Sequence, residues 1–573
     1  MEESDNNPRI VLLAALGVIL FSLLSTLPWI WSKPFYTRGE PREAVVAQEI
    51  LKAGEVILPK RYGGDVPTKP PLSHWLVALV SFWRGEVTEG LSRLPSVLLS
   101  ALVAGALSIF VAKRLGVGTA FLASVILITS FEWHRASVTA RVDMAFSSFL
   151  TFSLIFLFIA YERRKFSSLA SLFLALSVLG KGPVGVVLPA IIWVFFLALR
   201  RSCIRFSSKF IAAHFVPSLA IAFVWYFLAW QRGGDEFLDI VFRENIGRFL
   251  GDMYHGTAPH SHSVWYLYGS FFLGLLPYSL VLVVDLKRLL GIVRRGKWQI
   301  RLKGVLDLEP LVVYSIVIVL SFLLFFSFPA SKRSVYLLGA YPWAALLLGS
   351  YLLYLYRSYP FAVKSFGKVV LSLVAFAYLL LLFISFGLTE GLSSLLPPRQ
   401  SFEFNYYAGV WRNLTSHLQP LDILLLMLPL VPLLVFFLRR METKARLCLS
   451  IASFYLFLCF SEGVLVPAFA KSLSSKGFSK RLKGVLDKRL PLFSYGNEFY
   501  GINFYLGNSL SRLPRKLPSN AFYVLVLDSK ISKLRGIIGE RGYTVLLRSE
   551  HGITKPHYIV DLIMVSPVTM QPS

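Results

Sequence analysis

The stretch IVLLAALGVILFSLLSTLPWIW, residues 10–31, decides the class of fold. It carries no charged side chain, and an apolar run of ~18 or more residues reads as a membrane-spanning helix. It is too long for the apolar region of a signal peptide. It ends in Trp29, Trp31 and Lys33 rather than in small residues before a cleavage site. It therefore reads as an uncleaved first helix. Further apolar blocks lie near 93–112, 117–133, 145–161, 167–180, 184–199, 209–230, 264–284, 311–328, 335–354, 367–387, 421–438 and 446–462. The prediction is an all-α polytopic membrane protein of about 13 transmembrane helices.

Composition points the same way. Of 573 residues, 55% are hydrophobic and only 16% charged, whereas soluble domains have about 45–50% apolar and about 25% charged residues. The net charge of +27 would suggest nucleic acid on a soluble protein. Here the Lys and Arg residues gather in short loops between apolar blocks, so anionic lipid headgroups are the counter-charge and no nucleic-acid partner is expected. Lys113–Arg114, Arg163 to Lys165, Arg200–Arg201, Lys287–Arg288 with Arg294–Arg295, Arg357 with Lys364, and Arg439–Arg440 with Lys444 all follow even-numbered spans. By the positive-inside rule that side is the cytoplasm. The expected location is the cytoplasmic (inner) membrane, with a cytoplasmic N-terminus and an extracytoplasmic C-terminus.

Residues 1–465 then form the transmembrane unit, with outer loops at 32–92 and 231–263. In the first of these, residues 40–53 have apolar side chains at helical spacing. Residues 71–83 are apolar but short, which suits a helix at headgroup level. Residues 466–573 change character. FYVLVL at 522–527, YTVLL at 543–547 and YIVDL at 558–562 read as strands, and 529–540 reads as a helix. A small soluble α/β domain is predicted. Cys448 and Cys459 fall in one apolar helix, about 16 Å apart at ~1.5 Å per residue, too far to bridge.

Polar residues crowd the side opposite the basic loops. GEPREA at 39–44 follows the first span. Its Glu40, beside Arg42, is either a general base for an acceptor hydroxyl or an acid in the first turn of a helix begun by Pro41. Glu43 is expected on a different helix face. KRYGGDVPTKPPL at 60–72 is a loop whose Lys60, Arg61 and Lys69 suit a phosphate or a headgroup. Arg141 and Asp143 precede the fourth span, and Arg141 is the expected partner of the acid. Lys181, in KGP at 181–183, either snorkels or faces a polar cavity. The loop ENIGRF at 244–249 leads to His255, His260 and His262, a spacing that matches no standard zinc signature. Ser331-Lys332-Arg333 completes the set. Charged groups beside hydrocarbon are costly, so their gathering on one face suggests a site.

These segments, in this order, resemble the GT-C superfamily of membrane glycosyltransferases, in particular dolichyl-phosphate-mannose protein mannosyltransferase-like proteins and the lipid A aminoarabinose transferases. The most specific stretch is GEPREAVVAQEILKAGEVILPKRYGGDVPTKPPLSHW, residues 39–75. RVDM, KGPVG, ENIGRF and FPASKRSVYLLGAYP are similar to later landmarks. The resemblance implies transfer of a sugar from a polyprenyl-phosphate donor to a lipid, glycan or protein acceptor on the extracytoplasmic face. It implies Glu40 and Asp143 as the catalytic acids, and Lys69, Arg42, Arg61, Arg248 and Lys332 around the donor phosphate. His255 matches a metal-ligand histidine, so a divalent metal ion is the implied cofactor, although the companion glutamate is Thr68 here. The usual first-loop Asp is Gly39 here, and the tyrosine after the arginine is Glu43. No nucleotide is expected, since the phospho-sugar bond supplies the energy and no P-loop is present. The rival readings are a secondary transporter or lipid flippase, for which inverted repeats and midplane charges are the signature, and a non-catalytic scaffold whose loops bind headgroups.

Overall fold

The computed structural model describes residues 7–62, 64–247, 262–295, 304, 307–329, 331–438 and 441–567. Every predicted apolar block among them is helical. Among the described residues nine helices are long and apolar enough to cross a membrane, and the bent pair 117–137 makes a tenth. The first is α1, Pro8–Thr26, capped by the Asn7 side chain. An amphipathic helix of the outer loop, α2, Gly39–Ala53, ends at left-handed Gly54. Next come α3, Leu72–Ser81, and α4, Glu89–Leu115, whose Thr88 side chain accepts from the Leu91 amide. Helices α5, Val117–Thr129, and α6, Phe131–Ser137, meet at a 66° bend. They lead to α7, Val142–Arg163.

The predicted spans at 167–180 and 184–199 form α8, Ser168–Lys181, and α9, Val184–Leu199, which are apolar but shorter than full spans. Gly182 separates them at φ 87°, and a Cβ there would lie 2.9 Å from the Asn245 side chain, so only glycine makes this turn without strain. Helix α10, Ile204–Phe242, is kinked at Gly234, so the first part of the expected 231–263 loop is helical. The block at 264–284 is broken: helix Val264–Gly274 stops before the cis Leu276–Pro277 bond, and a short helix resumes at Leu280. Full-length apolar helices then cover Pro310–Ser327, Ser334–Ser358, Pro360–Ser385 and Pro420–Phe437. The last helical stretch, Thr443–Val485, runs through residue 466, so no loop marks that boundary.

The outer helices and the C-terminal unit carry the polar architecture. Five strands, β1 Leu492–Ser494, β2 Ser511–Arg512, β3 Phe522–Leu527, β4 Tyr543–Arg548 and β5 Val560–Val565, form a sheet in the order β2-β1-β3-β5-β4. β1 pairs parallel with β2 and β3, while β5 runs antiparallel between β3 and β4. β3 is buried along its whole length, as its unbroken apolar run requires of a central strand covered on both faces. Tyr523, Leu525 and Leu527 pack with Phe478, Leu482 and Tyr500. Phe522, Val524 and Val526 pack with Leu534 and Ile538 of the helix on the other face.

This unit is tied to the first outer loop. Tyr62 joins its core. The Ser474 hydroxyl donates to the Phe35 carbonyl at 2.8 Å, and the Asn508 amide to the Val45 carbonyl at 2.9 Å.

Candidate functional site

Two groups of ionised side chains lie beside α2. The first is built on Glu40. Its carboxylate meets Arg93, near the start of α4, through both oxygens, with Nε–Oε1 2.7 Å and Nη2–Oε2 3.1 Å. The Ala140 amide also donates to Oε1 at 3.1 Å. Arg93 Nη1 donates to the carbonyls of Ile30 and Lys33 at 2.8 and 2.7 Å. The side chains are 0% (Arg93) and 2% (Glu40) exposed. Burial alone would raise the Glu40 carboxyl, but the Arg93 guanidinium holds it below the usual range. The pair joins the end of the first span, the second span and the 140 loop. Its geometry is that of a satisfied bidentate clamp. Both Glu40 oxygens are engaged in this arrangement, which matches the reading of this acid as a first-turn, architectural residue more closely than the general-base reading.

The second group surrounds Asp143, the second residue of α7. Asp143 Oδ1 accepts from Lys181 Nζ at 2.8 Å, and both side chains are 9% exposed. So Lys181, not the expected Arg141, holds this acid. Lys181 Nζ also lies 4.5 Å from the Tyr336 ring centroid and 5.1 Å from that of Phe146, contacts suited to a buried ammonium. Asp143 lies in the fields of Arg141 and Arg333, and among the described residues neither arginine has a carboxylate within salt-bridge distance. Burial and the neighbouring Arg141 both disfavour the Arg333 charge.

On α2, Arg42 binds Glu43, and Glu43 Oε2 lies 2.8 Å from His74 Nε2. Burial alone would raise the Glu43 carboxyl, but Arg42 and His74 hold it far below the usual range. Glu43 was expected on another face. Three residues apart on a helix is nearly the same face, and Glu40 and Glu43 are both buried. Arg42 also lies in the field of Asp143, which brings the two elements together.

The other predicted phosphate ligands are more scattered. Lys69 pairs with Glu244 at 3.3 Å. Arg61 lies 5.3 Å from the Tyr500 ring centroid and faces the C-terminal unit. Lys332 is buried, its Nζ donating to the Pro329 carbonyl at 2.7 Å. Arg248 and His255 lie outside the described residues. Among the described residues no group of three His, Cys, Asp or Glu side chains could hold a metal ion.

Sequence reasoning missed Arg93 and the pairing of His74 with Glu43. A signal for the first existed: an arginine opening an apolar block must find a partner, and Glu40 is an acid next to the membrane. An apolar groove of about 440 Å³ runs between α8, α9 and α10, lined by Val178, Pro183, Val186, Leu219, Phe223 and Tyr226.

Known proteins resemble this one in sequence and in fold. The dolichyl-phosphate-mannose-protein mannosyltransferase family model matches residues 68–230. An uncharacterised protein of Aquifex aeolicus is 27% identical over 352 residues, 60% of this chain and 63% of the relative. The undecaprenyl phosphate-alpha-4-amino-4-deoxy-L-arabinose arabinosyl transferase of Shewanella sediminis is 24% identical over 342 residues, 59% of each chain. The match thus spans about three-fifths of the length of these curated relatives. The crystal structure of ArnT from Cupriavidus metallidurans bound to undecaprenyl phosphate superposes with a TM-score of 0.73 at 17% identity, covering 97% of this chain and 99% of that one. The chain thus shares the overall fold of the ArnT structure, and over residues 68–230 it is similar in sequence to the dolichyl-phosphate-mannose-protein mannosyltransferase family.

Proposed function

We propose that the chain transfers a sugar from a polyprenyl-phosphate carrier to an acceptor hydroxyl on the extracytoplasmic face. The observation that carries this reading is the charge imbalance around Asp143. Lys181, Arg141, Arg333 and Arg42 converge on two carboxylates, Asp143 and Glu43. Such an excess of desolvated positive charge is favourable only when an anion completes it. Guanidinium forks match a phosphate, and a lysine supplies a point charge. The apolar groove lined by Val178 and Pro183, on either side of Lys181 in the sequence, supports a carrier with a hydrocarbon tail. Its lining has nothing to offer a polar solute.

In this mechanism Arg141 and Arg333 hold the carrier phosphate, with Lys69 released from Glu244 as a further ligand. Asp143 accepts the proton of the acceptor hydroxyl. The acceptor oxygen forms a bond to the anomeric carbon as the carbon–oxygen bond to phosphate breaks. The bonding pair leaves on the phosphate, where the guanidinium charges stabilise it, and this single displacement inverts the carbon. The Glu40–Arg93 clamp fixes α2 and the 140 loop so that Arg42 and Asp143 face each other. The preponderance of basic loops on the opposite side supports an extracytoplasmic site in an inner membrane.

The test is to incubate the purified chain in detergent with undecaprenyl-phosphate sugars and a cell-envelope extract and to follow release of undecaprenyl phosphate. Acceptor-dependent release is expected. Binding without turnover of any donor, together with transport of a lipid or solute in vesicles, would favour the transporter instead.

A further inference from the structure

The C-terminal sheet carries a cavity of about 530 Å³ that the transfer chemistry leaves unused. It opens where the parallel strands β1, β2 and β3 end. Ligands of sheets with parallel strands settle in the crevice outside those ends, and small-molecule sites measure about 300–1,000 Å³. The half-buried Tyr495 and Tyr558 line it beside the buried Tyr500, and Asn497 and Thr554 add polar groups. At its mouth Glu498 accepts from Tyr500 Oη at 2.6 Å, Arg512 Nη2 at 2.6 Å and Arg38 Nη2 at 2.5 Å. Burial alone would raise the Glu498 carboxyl, but the Tyr500 hydroxyl and Arg38 hold it below the usual range. Asp65 Oδ2 forms an ion pair with the same guanidinium, 2.7 Å from Arg512 Nη2.

Against these two carboxylates stand four cations. Arg38 and Arg512 are 68% and 55% exposed. Arg61 sits over the Tyr500 ring. Lys530 Nζ donates to Asn497 Oδ1 at 2.7 Å. The pocket is therefore aromatic, rich in planar hydrogen-bonding groups and net positive. Flat tyrosine faces suit the C–H face of a sugar ring, carboxylate and amide groups suit its hydroxyls, and accessible guanidinium forks suit a phosphate or carboxylate on it. The cavity is linked to α2 through Arg38, which lines it and immediately precedes the helix that carries Arg42 and Glu43.

We propose that this cavity is a saccharide subsite that holds an anionic sugar of the acceptor while a hydroxyl further along is presented to Asp143. The proposal rests on the glycosyl-transfer reading and names the acceptor class for it: a glycan bearing phosphate or carboxylate groups, whether free or lipid-linked.

The experiment uses the full chain in detergent. Glucose 1-phosphate, glucuronate and glucose are titrated by saturation-transfer NMR, with inorganic phosphate as competitor and undecaprenyl phosphate binding measured on the same sample. Both anionic sugars are expected to bind about tenfold or more tighter than glucose. Arg512→Ala should abolish that preference, Tyr558→Ala should weaken all three sugars, and undecaprenyl phosphate should bind unchanged in both variants. Displacement of glucose 1-phosphate by a phosphorylated glycolipid in micelles would identify a lipid-linked acceptor, displacement by a soluble phosphorylated glycan a free one, and displacement by neither would overturn the subsite. Binding that inorganic phosphate alone reproduces, or sugar binding indifferent to both variants, would also overturn it. If undecaprenyl phosphate binds and no sugar does, the subsite falls and the transfer reading stands. If undecaprenyl phosphate itself fails to bind, the transfer reading falls.

Discussion

The Glu40–Arg93 pair and the Asp143–Lys181 pair sit at the same end of the helical bundle, are both buried, and differ in what surrounds them. Around Glu40 each donor has an acceptor: a bidentate guanidinium, one backbone amide, and two carbonyls for the rest of Arg93. Around Asp143 the charges do not balance, because Arg141 and Arg333 add two guanidinium groups without carboxylate partners among the described residues. A closed ion pair fixes architecture. An open one retains capacity for a ligand. The difference separates the two acids of a first-loop and second-site pattern that look equivalent as letters.

The largest effect expected is on chemistry at the open pair. Asp143→Asn should lower turnover by about 100- to 10,000-fold, as loss of a general base does, while the helical content of the purified protein stays unchanged. Retained turnover would remove Asp143 from the reaction. At the closed pair the effect should fall on stability. Arg93→Ala leaves a buried carboxylate without its partner, which costs about 3–5 kcal/mol, read as a lowered thermal midpoint in detergent. A midpoint like that of the parent protein would mean that the clamp contributes nothing.

Next comes donor affinity. Arg141→Ala and Arg333→Ala should each raise the apparent KM for the polyprenyl-phosphate donor, by the roughly 1.5–3 kcal/mol of a charge-assisted contact, with a smaller change in kcat. Unchanged donor kinetics in both would sink the phosphate assignment. The smallest effect is pH dependence. The Glu40 and Glu43 carboxyls are depressed in the folded protein. Their contribution to stability is therefore full above the unfolded carboxyl value of about 4.3 and is lost as pH falls through the folded values. Glu43→Gln should flatten the acid limb of the stability curve below about pH 4, and an unaltered limb would contradict this.

Much of the fold was legible because hydrocarbon imposes long uniform runs. Where the helices depart from those runs, the cause is local: a cis proline breaks 264–284, a bend parts α5 from α6, and Gly182 turns α8 into α9. In the C-terminal sheet β3 was readable from its apolar run. β1 and β2 have three and two residues, too short to show a period of two. The third predicted strand begins two residues late, at Val560, because Tyr558 is held in a turn by the Lys555 carbonyl.

The charged residues beside α2 were legible singly and not as pairs. Asp143 was found by its position before an apolar block. Its partner lies 38 residues away, and nothing in sequence order says which of several cations reaches it. The partner of Glu40 was hidden for the same reason: Arg93 lies 53 residues on, at the head of a segment that reads as plain membrane helix. Gly39 adds a further contrast: a Cβ there would lie 3.4 Å from the Arg141 guanidinium, so Arg141 packs directly against the start of α2.

The most direct test of this division of labour is Glu40→Gln, with turnover and thermal unfolding measured on one preparation. The account predicts a lowered midpoint, because a neutral amide weakens the buried pair with Arg93, and turnover within about tenfold of the parent, short of the ~100-fold that loss of a base would bring. A fall in turnover beyond about a hundredfold with an unchanged midpoint would contradict it and make Glu40 the base.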